Sequence, residues 1–315
     1  MAASILVIGE VADGKLTRLS AEVATLARQL AEAGSSTVLG GVVGENARAA
    51  AEELASHTGG DVAAVTDSAR SPVGWAAGQK ADYILIGASP DGRDIAGTLS
   101  VLLGIGVLGN ATAVSWEDDG PVVEMSVFGG KLITRSAFTD GRGIITVRPN
   151  AVAASPAPKP GRIVDAPPGP APELAPVKVV DRIEEAGGAA SIEEARVIVS
   201  GGRGVGGEEG FKLVQELADA LGGAVGATRA AVDAGWINYS QQIGQTGKIV
   251  KPQLYLALGV SGAIQHKVGM QTADTIVAVN RDPDAPIAEF ADLVVVGDLF
   301  EVGPALLAEL KSRGR

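Results

Sequence analysis

Short apolar runs, each closed by glycine or a polar residue and most followed by residues at helical spacing, recur along this 315-residue chain. In the first half they fall at 5–9, 37–43, 62–66 and 83–88. Between them, residues 20–33 carry Val23, Leu26, Ala27 and Leu30 on one helical face, with Ser20 as the expected N-cap and Gly34 as the stop. Residues 46–57 and 95–103 read as two more helices. Strands that are apolar on both faces and alternate with helices predict a mostly parallel sheet covered on both sides, a Rossmann-like α/β domain. From Ala113 the texture changes to VSWEDDGPVVEMSVFGGKLITRSAF, and turns at Asp119-Gly120 and Gly129-Gly130 predict antiparallel hairpins added to that sheet. Residues 144–148 close the region as one more strand.

Length favours two domains over one core. Between Pro149 and Pro176 prolines dominate, which predicts an extended connector without helix or ladder, and the expected division is 1–185 and 186–315. Such a connector would let the second domain swing. Apolar residues at 46 % and charges at 20 % describe a globular chain, and no apolar run is long enough for a bilayer span. The opening MAASILVIGEV lacks the basic segment of a secretion signal, so a cytoplasmic location is expected. A net charge of −11 argues against nucleic acid and anionic membrane as partners. The absence of cysteine removes disulfides and thiolate-held clusters, and two histidines leave little for a catalytic zinc site, so no metal is expected.

The second half repeats one device. Strands are expected at 196–199, 224–227, 249–258, 275–279 and 293–297, with a helix at 208–221. Their ends carry SGGRGVGG, Thr228-Arg229, Ser261-Gly262, Asn280-Arg281-Asp282 and Asp298. The loop from Gln241 to Lys248 adds amides, a hydroxyl and a cation. Polar and glycine residues converging on one edge of a doubly wound, flavodoxin-like sheet make a nucleotide site. Its focus is YLALGVSGAIQH at 255–266, where a strand breaks into a turn and opens a helix at Ala263, Ile264, Gln265 and His266. Backbone N–H groups at such a helix start attract anions. An ordinary βα turn with an incidental histidine is the competing reading. His57, at the end of its helix, reads as structural, and Asp91-Gly92-Arg93-Asp94 occupies a possible ligand edge.

Two motifs need testing. Gly202-Arg203-Gly204-Val205-Gly206-Gly207 fits G-x-G-x-x-G literally, but the next strand ends in Thr228-Arg229 where a ribose-binding acid belongs, and Glu208-Glu209 would repel a pyrophosphate. The NAD reading weakens, and an NADP reading through Arg229 survives. Gly244-Gln245-Thr246-Gly247-Lys248 fails as a phosphate loop, because Gln242 holds the first glycine position and Ile249 follows the lysine.

SGGRG at 200–204, ATRAAVDAGW at 227–236, IGQTGKIVKP at 243–252, YLALGVSGAIQHKVGM at 255–270 and VNRDPDAPI at 279–287 closely resemble the electron transfer flavoprotein alpha subunit family. The resemblance is dense over 195–315 and looser before it. It implies an FAD-binding second domain and an electron carrier, with no substrate-converting activity of its own. It also implies a beta subunit that completes a heterodimer and carries AMP. Acyl-CoA-type dehydrogenases of fatty acid beta-oxidation would be donors and a quinone-linked oxidoreductase the acceptor. Carried over by motif, Arg203 lies near the cofactor, Thr228 bonds to it and Arg229 covers the isoalloxazine. Ile243, Gly244, Gln245 and Thr246 run along the flavin, with Thr246 within reach of N5. Ser261, Gly262, Ala263, Ile264 and Gln265 hold the pyrophosphate region, His266 faces the flavin carbonyl edge, and Asn280 and Asp298 hold the adenosine end. An imidazole and a guanidinium there would stabilise negative charge gathering at the N1/C2-carbonyl edge. Two departures stand out: Thr228 replaces an expected serine, and Ile95-Ala96-Gly97-Thr98 lacks an expected Pro-Arg. An NADP-dependent reductase and a nucleotide-binding regulator remain the alternatives.

Overall fold

The computed structural model describes residues 2–12, 14–44, 47–66, 72–118, 120–128, 132–165, 192–193 and 195–313. The chain divides into two compact units, Met1–Arg182 and Ile183–Arg315. The boundary expected at 185/186, the turn residues Asp119, Gly129 and Gly130, and the connector from 166 to 176 lie outside the described residues.

In the first unit the order is β1 (Ser4–Gly9), β2 (Val11–Ala12), β3 (Lys15–Leu16), α1 (Arg18–Gly34), β4 (Thr37–Val43), α2 (Ala47–Thr58), β5 (Asp61–Val65), α3 (Pro72–Ala77), β6 (Tyr83–Gly87) and α4 (Pro90–Leu103). Then follow β7 (Val107–Glu117), β8 (Gly120–Val127), β9 (Leu132–Ala137), β10 (Gly143–Val147) and β11 (Ile163–Asp165). Apart from the small β2–β3 hairpin, these strands form one sheet in the order β11-β5-β4-β1-β6-β10-β7-β8-β9. It is parallel from β11 to β7, and the β7–β8–β9 extension is antiparallel, as the change of texture at Ala113 implied. Two apolar clusters fill its faces, one around Val7, Leu26, Leu54 and Leu85, the other around Leu6, Trp75, Ile86 and Leu99.

Four expectations need correction. Helix α1 begins before Ser20: Thr17 is the N-cap and accepts from the Ser20 N–H at 3.2 Å, while the Ser20 hydroxyl is buried and accepts from the Glu10 N–H. The helix expected at 95–103 begins earlier, at Pro90, capped by Ser89, so that Asp91-Gly92-Arg93-Asp94 belongs to its opening. The proline-rich stretch does form a ladder: Ile163–Asp165 pairs with β5 as a parallel edge strand, where proline's missing N–H no longer interrupts. The strand expected at 249–258 starts only at Leu254, since Pro252 cannot donate to the ladder.

The second unit runs β12 (Val197–Gly201), α5 (Gly210–Ala220), β13 (Ala224–Ala227), α6 (Arg229–Asp233), β14 (Leu254–Leu258), α7 (Ile264–Met270), β15 (Ile276–Asn280), β16 (Leu293–Val296) and α8 (Leu299–Ser312). All five strands are parallel in the order β13-β12-β14-β15-β16. This is the flavodoxin-like 2-1-3-4-5 order. Its connections reverse between β12 and β14, and ligands of such sheets bind at that switch point, outside the carboxyl ends of the strands. Alternation along the strands sends Val199, Leu256 and Leu258 toward α5 and α8, and Ile198, Tyr255 and Ala257 toward the opposite cluster with Met270 and Ile287.

Candidate functional site

A cleft of about 730 Å³ opens at the β12/β14 switch point. It is large enough for a nucleotide-sized ligand, which occupies about 300–1,000 Å³ in typical sites. Twelve of the fifteen residues expected at the cofactor line it: Arg203, Thr228, Arg229, Ile243, Gly244, Gln245, Thr246, Ser261, Ala263, Gln265, His266 and Asn280. Gly262, Ile264 and Asp298 do not. Ile264 is exposed beside the cleft. Asp298 caps α8 by accepting from the Phe300 N–H and pairs with Arg281; these two contacts hold its carboxyl below the usual carboxylate range.

The two loops that meet at the switch point touch backbone to backbone. Gly202 donates to the Leu258 carbonyl at 2.9 Å and Gly204 to the Gly259 carbonyl at 3.0 Å. A Cβ on Gly204 would stand 2.7 Å from the Gly259 Cα, so only glycine permits the approach. These bonds also consume two amides of the G-x-G-x-x-G run. Residues Arg203–Val205 make a 3-10 turn instead of a dinucleotide cradle, which removes the physical basis of the NAD reading of that motif.

One wall carries Thr228 and Arg229. Thr228 is the N-cap residue of α6, yet its side chain makes no capping bond. The hydroxyl is buried without a hydrogen-bond partner. Buried hydroxyls are ordinarily satisfied, so this one, on a residue that lines the cleft, is left with bonding capacity to spare. Arg229 starts α6 and pairs with Asp233 one turn on, at 3.2 Å, both side chains being exposed. Asp233 was missed in the sequence, although its i,i+4 spacing from Arg229 was the signal.

Beside that wall runs the loop from Gln242 to Lys248, pinned at several points. Ile243 donates to the Ala227 carbonyl at 2.9 Å, Gln245 to the Gln265 carbonyl at 2.7 Å and Lys248 to the Gln242 carbonyl at 2.7 Å. The buried Gln242 side chain donates to the Thr246 hydroxyl at 3.2 Å, and the Tyr239 hydroxyl donates to the Thr246 carbonyl at 2.8 Å. Thr246 is thus held by two side chains outside the cleft.

The floor is the turn from Gly259 to Gln265. Gly262 has φ +81°, and a Cβ there would lie 2.4 Å from the Ile287 nitrogen. That nitrogen donates to the Ser261 carbonyl at 3.0 Å, tying the turn to the Ala285-Pro286 segment. Asp282, one of the polar strand-end residues expected at this edge, lines the cleft together with Ala285 and Pro286. The Asn280 amide is committed at both ends, donating to the Val260 carbonyl and accepting from the Asp282 N–H. His266 is 5 % exposed. Its Nδ1 lies 3.0 Å from the Ile243 carbonyl and its Nε2 2.8 Å from the Tyr255 hydroxyl. Burial drives its pKa down from 6.5 to about 4, against the opposing bond to Ile243, so the imidazole is neutral near pH 7.

Among the described residues no group of acids and histidines is placed to hold a metal, and no helix is long and apolar enough to cross a membrane. His57 lies in the last turn of α2, with its Nδ1 buried and unpartnered and its carbonyl accepting from Arg28. It is not part of the cleft.

Residues 5–171 match the electron transfer flavoprotein domain family, and residues 191–271 match the electron transfer flavoprotein FAD-binding domain family. The chain is 43 % identical to the electron transfer flavoprotein subunit alpha of Mycobacterium tuberculosis (strain H37Rv), covering 99 % of each chain. Against the same-named proteins of Thermoanaerobacterium thermosaccharolyticum and Bacillus subtilis it is 38 % and 36 % identical. Those matches cover 98 % and 99 % of this chain and 97 % and 98 % of theirs.

Proposed function

The chain belongs to the electron transfer flavoprotein alpha subunit family, and from that footing we propose that its second unit holds FAD in the switch-point cleft and serves as an electron carrier. The observation that carries this reading is the buried, unpartnered Thr228 hydroxyl at the edge of a cleft that most of the motif residues line.

The residues present fit a flavin nucleotide. When bound, FAD supplies the redox chemistry, accepting and returning electrons at its isoalloxazine. The protein's part is to bind, orient and set the local field. Thr228 offers the ring system a hydroxyl that has no other partner. Arg229 brings a guanidinium to the same wall, where it offsets negative charge that arrives with electrons, and Asp233 moderates that effect. Gln242 and Tyr239 hold Thr246 so that its hydroxyl hydrogen is left for the cleft, where N5 would receive it. Ser261, Gln265 and the pinned loop would hold the pyrophosphate, and Asn280 and Asp298 the adenosine end. His266 would meet the flavin's carbonyl edge as a neutral ring.

The family supports a beta subunit as the partner in a heterodimer that carries AMP. Acyl-CoA-type dehydrogenases of fatty acid beta-oxidation donate and a quinone-linked oxidoreductase accepts, in the cytoplasm, with no substrate converted by the carrier itself. The experiment adds a catalytic amount of an acyl-CoA dehydrogenase and excess acyl-CoA to the co-purified heterodimer. Bleaching of the flavin band, reversed by the quinone-linked oxidoreductase, is the expected result. A band that never bleaches refutes the donor assignment. Bleaching by NADPH alone favours the reductase alternative.

A further inference from the structure

We propose that Tyr255 is a positioning residue for His266, occupying the Nε2 lone pair so that the imidazole meets the cleft as a fixed, neutral Nδ1–H tautomer. The Ile243 carbonyl can only accept, so the 3.0 Å contact requires the proton on Nδ1. In a neutral ring Nε2 is then the acceptor, and the Tyr255 hydroxyl at 2.8 Å must donate to it. Tyr255 is itself wholly buried on β14, and burial pushes its hydroxyl far above the ordinary tyrosine value, so it stays a donor at any working pH. Both ring nitrogens are therefore spent inside the protein, and only carbon-bound hydrogens of the ring are left to face the cleft. A ring locked at two points cannot turn to offer an N–H without losing one buried bond.

The proposal deepens the FAD reading and rests on it for its redox consequence, but the tautomer is a property of the chain alone. The chain has only two histidines, His57 and His266, so a ring-nitrogen NMR correlation spectrum of the full-length chain with ¹⁵N-histidine contains two ring systems. His266→Gln assigns them. The expected wild-type pattern for His266 is protonated Nδ1 and imine Nε2, and in Tyr255→Phe the Nε2 resonance moves to higher frequency as its hydrogen bond is lost. A wild-type ring protonated at Nε2 overturns the proposal even if the variant fails to fold, and so does an Nε2 resonance that stays in place in a folded Tyr255→Phe. In the FAD-loaded heterodimer, Tyr255→Phe frees the Nε2 lone pair and makes the ring easier to protonate, so the cationic ring is expected to move the flavin reduction midpoint to more positive values. An unchanged midpoint also counts against a positioning role. If the heterodimer carries no FAD, the cofactor reading fails while the NMR result still decides the tautomer.

Discussion

The backbone N–H of Gly204 donates to the carbonyl of Gly259 at 3.0 Å, joining the loops that follow two neighbouring strands at the switch point of the second sheet. Gly204 and Gly259 both line the cleft that opens at this point. A methyl group on Gly204 would meet the Gly259 Cα at 2.7 Å, inside any real contact distance. Gly204→Ala is expected to lower stability by about 1–3 kcal/mol and to weaken flavin retention together with it. Denaturant unfolding of the apo chain, paired with flavin absorbance after gel filtration, measures both; an unchanged unfolding midpoint contradicts the close-approach account.

Thr228 separates binding from folding. Its hydroxyl is buried and unpartnered in the chain itself, so Thr228→Val, which keeps the shape, leaves apo stability equal or slightly raised. The same change removes a hydrogen bond to the cofactor and is expected to weaken FAD binding about tenfold, the equivalent of ~1.4 kcal/mol. Thr228→Ser restores it. Flavin titration by fluorescence quenching checks this, and equal affinity for the valine and serine variants would remove Thr228 from the site.

The buried imidazole makes a pH prediction. His266 has a folded pKa near 4 against 6.5 in the unfolded chain, so the unfolded state takes up the proton first as pH falls. Its contribution is whole above pH 6.5 and is lost progressively down to pH 4, amounting to about 3 kcal/mol. Unfolding free energies of wild type and His266→Gln, measured between pH 7 and 4, are expected to converge as acid is added. Parallel curves across that window mean the ring is not held neutral.

Arg229 and Asp233 pair at 3.2 Å in an exposed setting, and such pairs add little to stability. Asp233→Asn is expected to move the unfolding midpoint by less than about 0.5 kcal/mol. It releases the guanidinium toward the cleft, so the flavin midpoint potential of the loaded heterodimer shifts positive. A stability loss without a potential shift assigns the pair to structure alone.

The alternating strands and helices were legible because strands of a parallel sheet are apolar on both faces and read as unbroken runs, as at Ile5–Ile8 and Tyr255–Leu258. The start of α4 was not, because Asp91-Gly92-Arg93 resembles a turn; the Ser89-Pro90 pair was the signal overlooked. The edge strand at Ile163–Asp165 was hidden by prolines that a sheet edge tolerates. Most of the cleft could be anticipated because motif residues cluster at strand ends. The Tyr255–His266 bond could not. Tyr255 sits in an apolar run and reads as core, and only the packing of α7 against its face of the sheet brings the two side chains together. Gln242 was legible as one of the loop's amides, but not its part in holding Thr246 from behind.

The most direct test is the visible spectrum of the purified heterodimer, followed by chromatography of the nucleotide released on heat denaturation. The account predicts a yellow protein releasing one FAD per alpha chain, with the yellow colour weakened in Thr228→Val. A colourless protein, or one whose cleft releases a nicotinamide nucleotide in place of FAD, would contradict it.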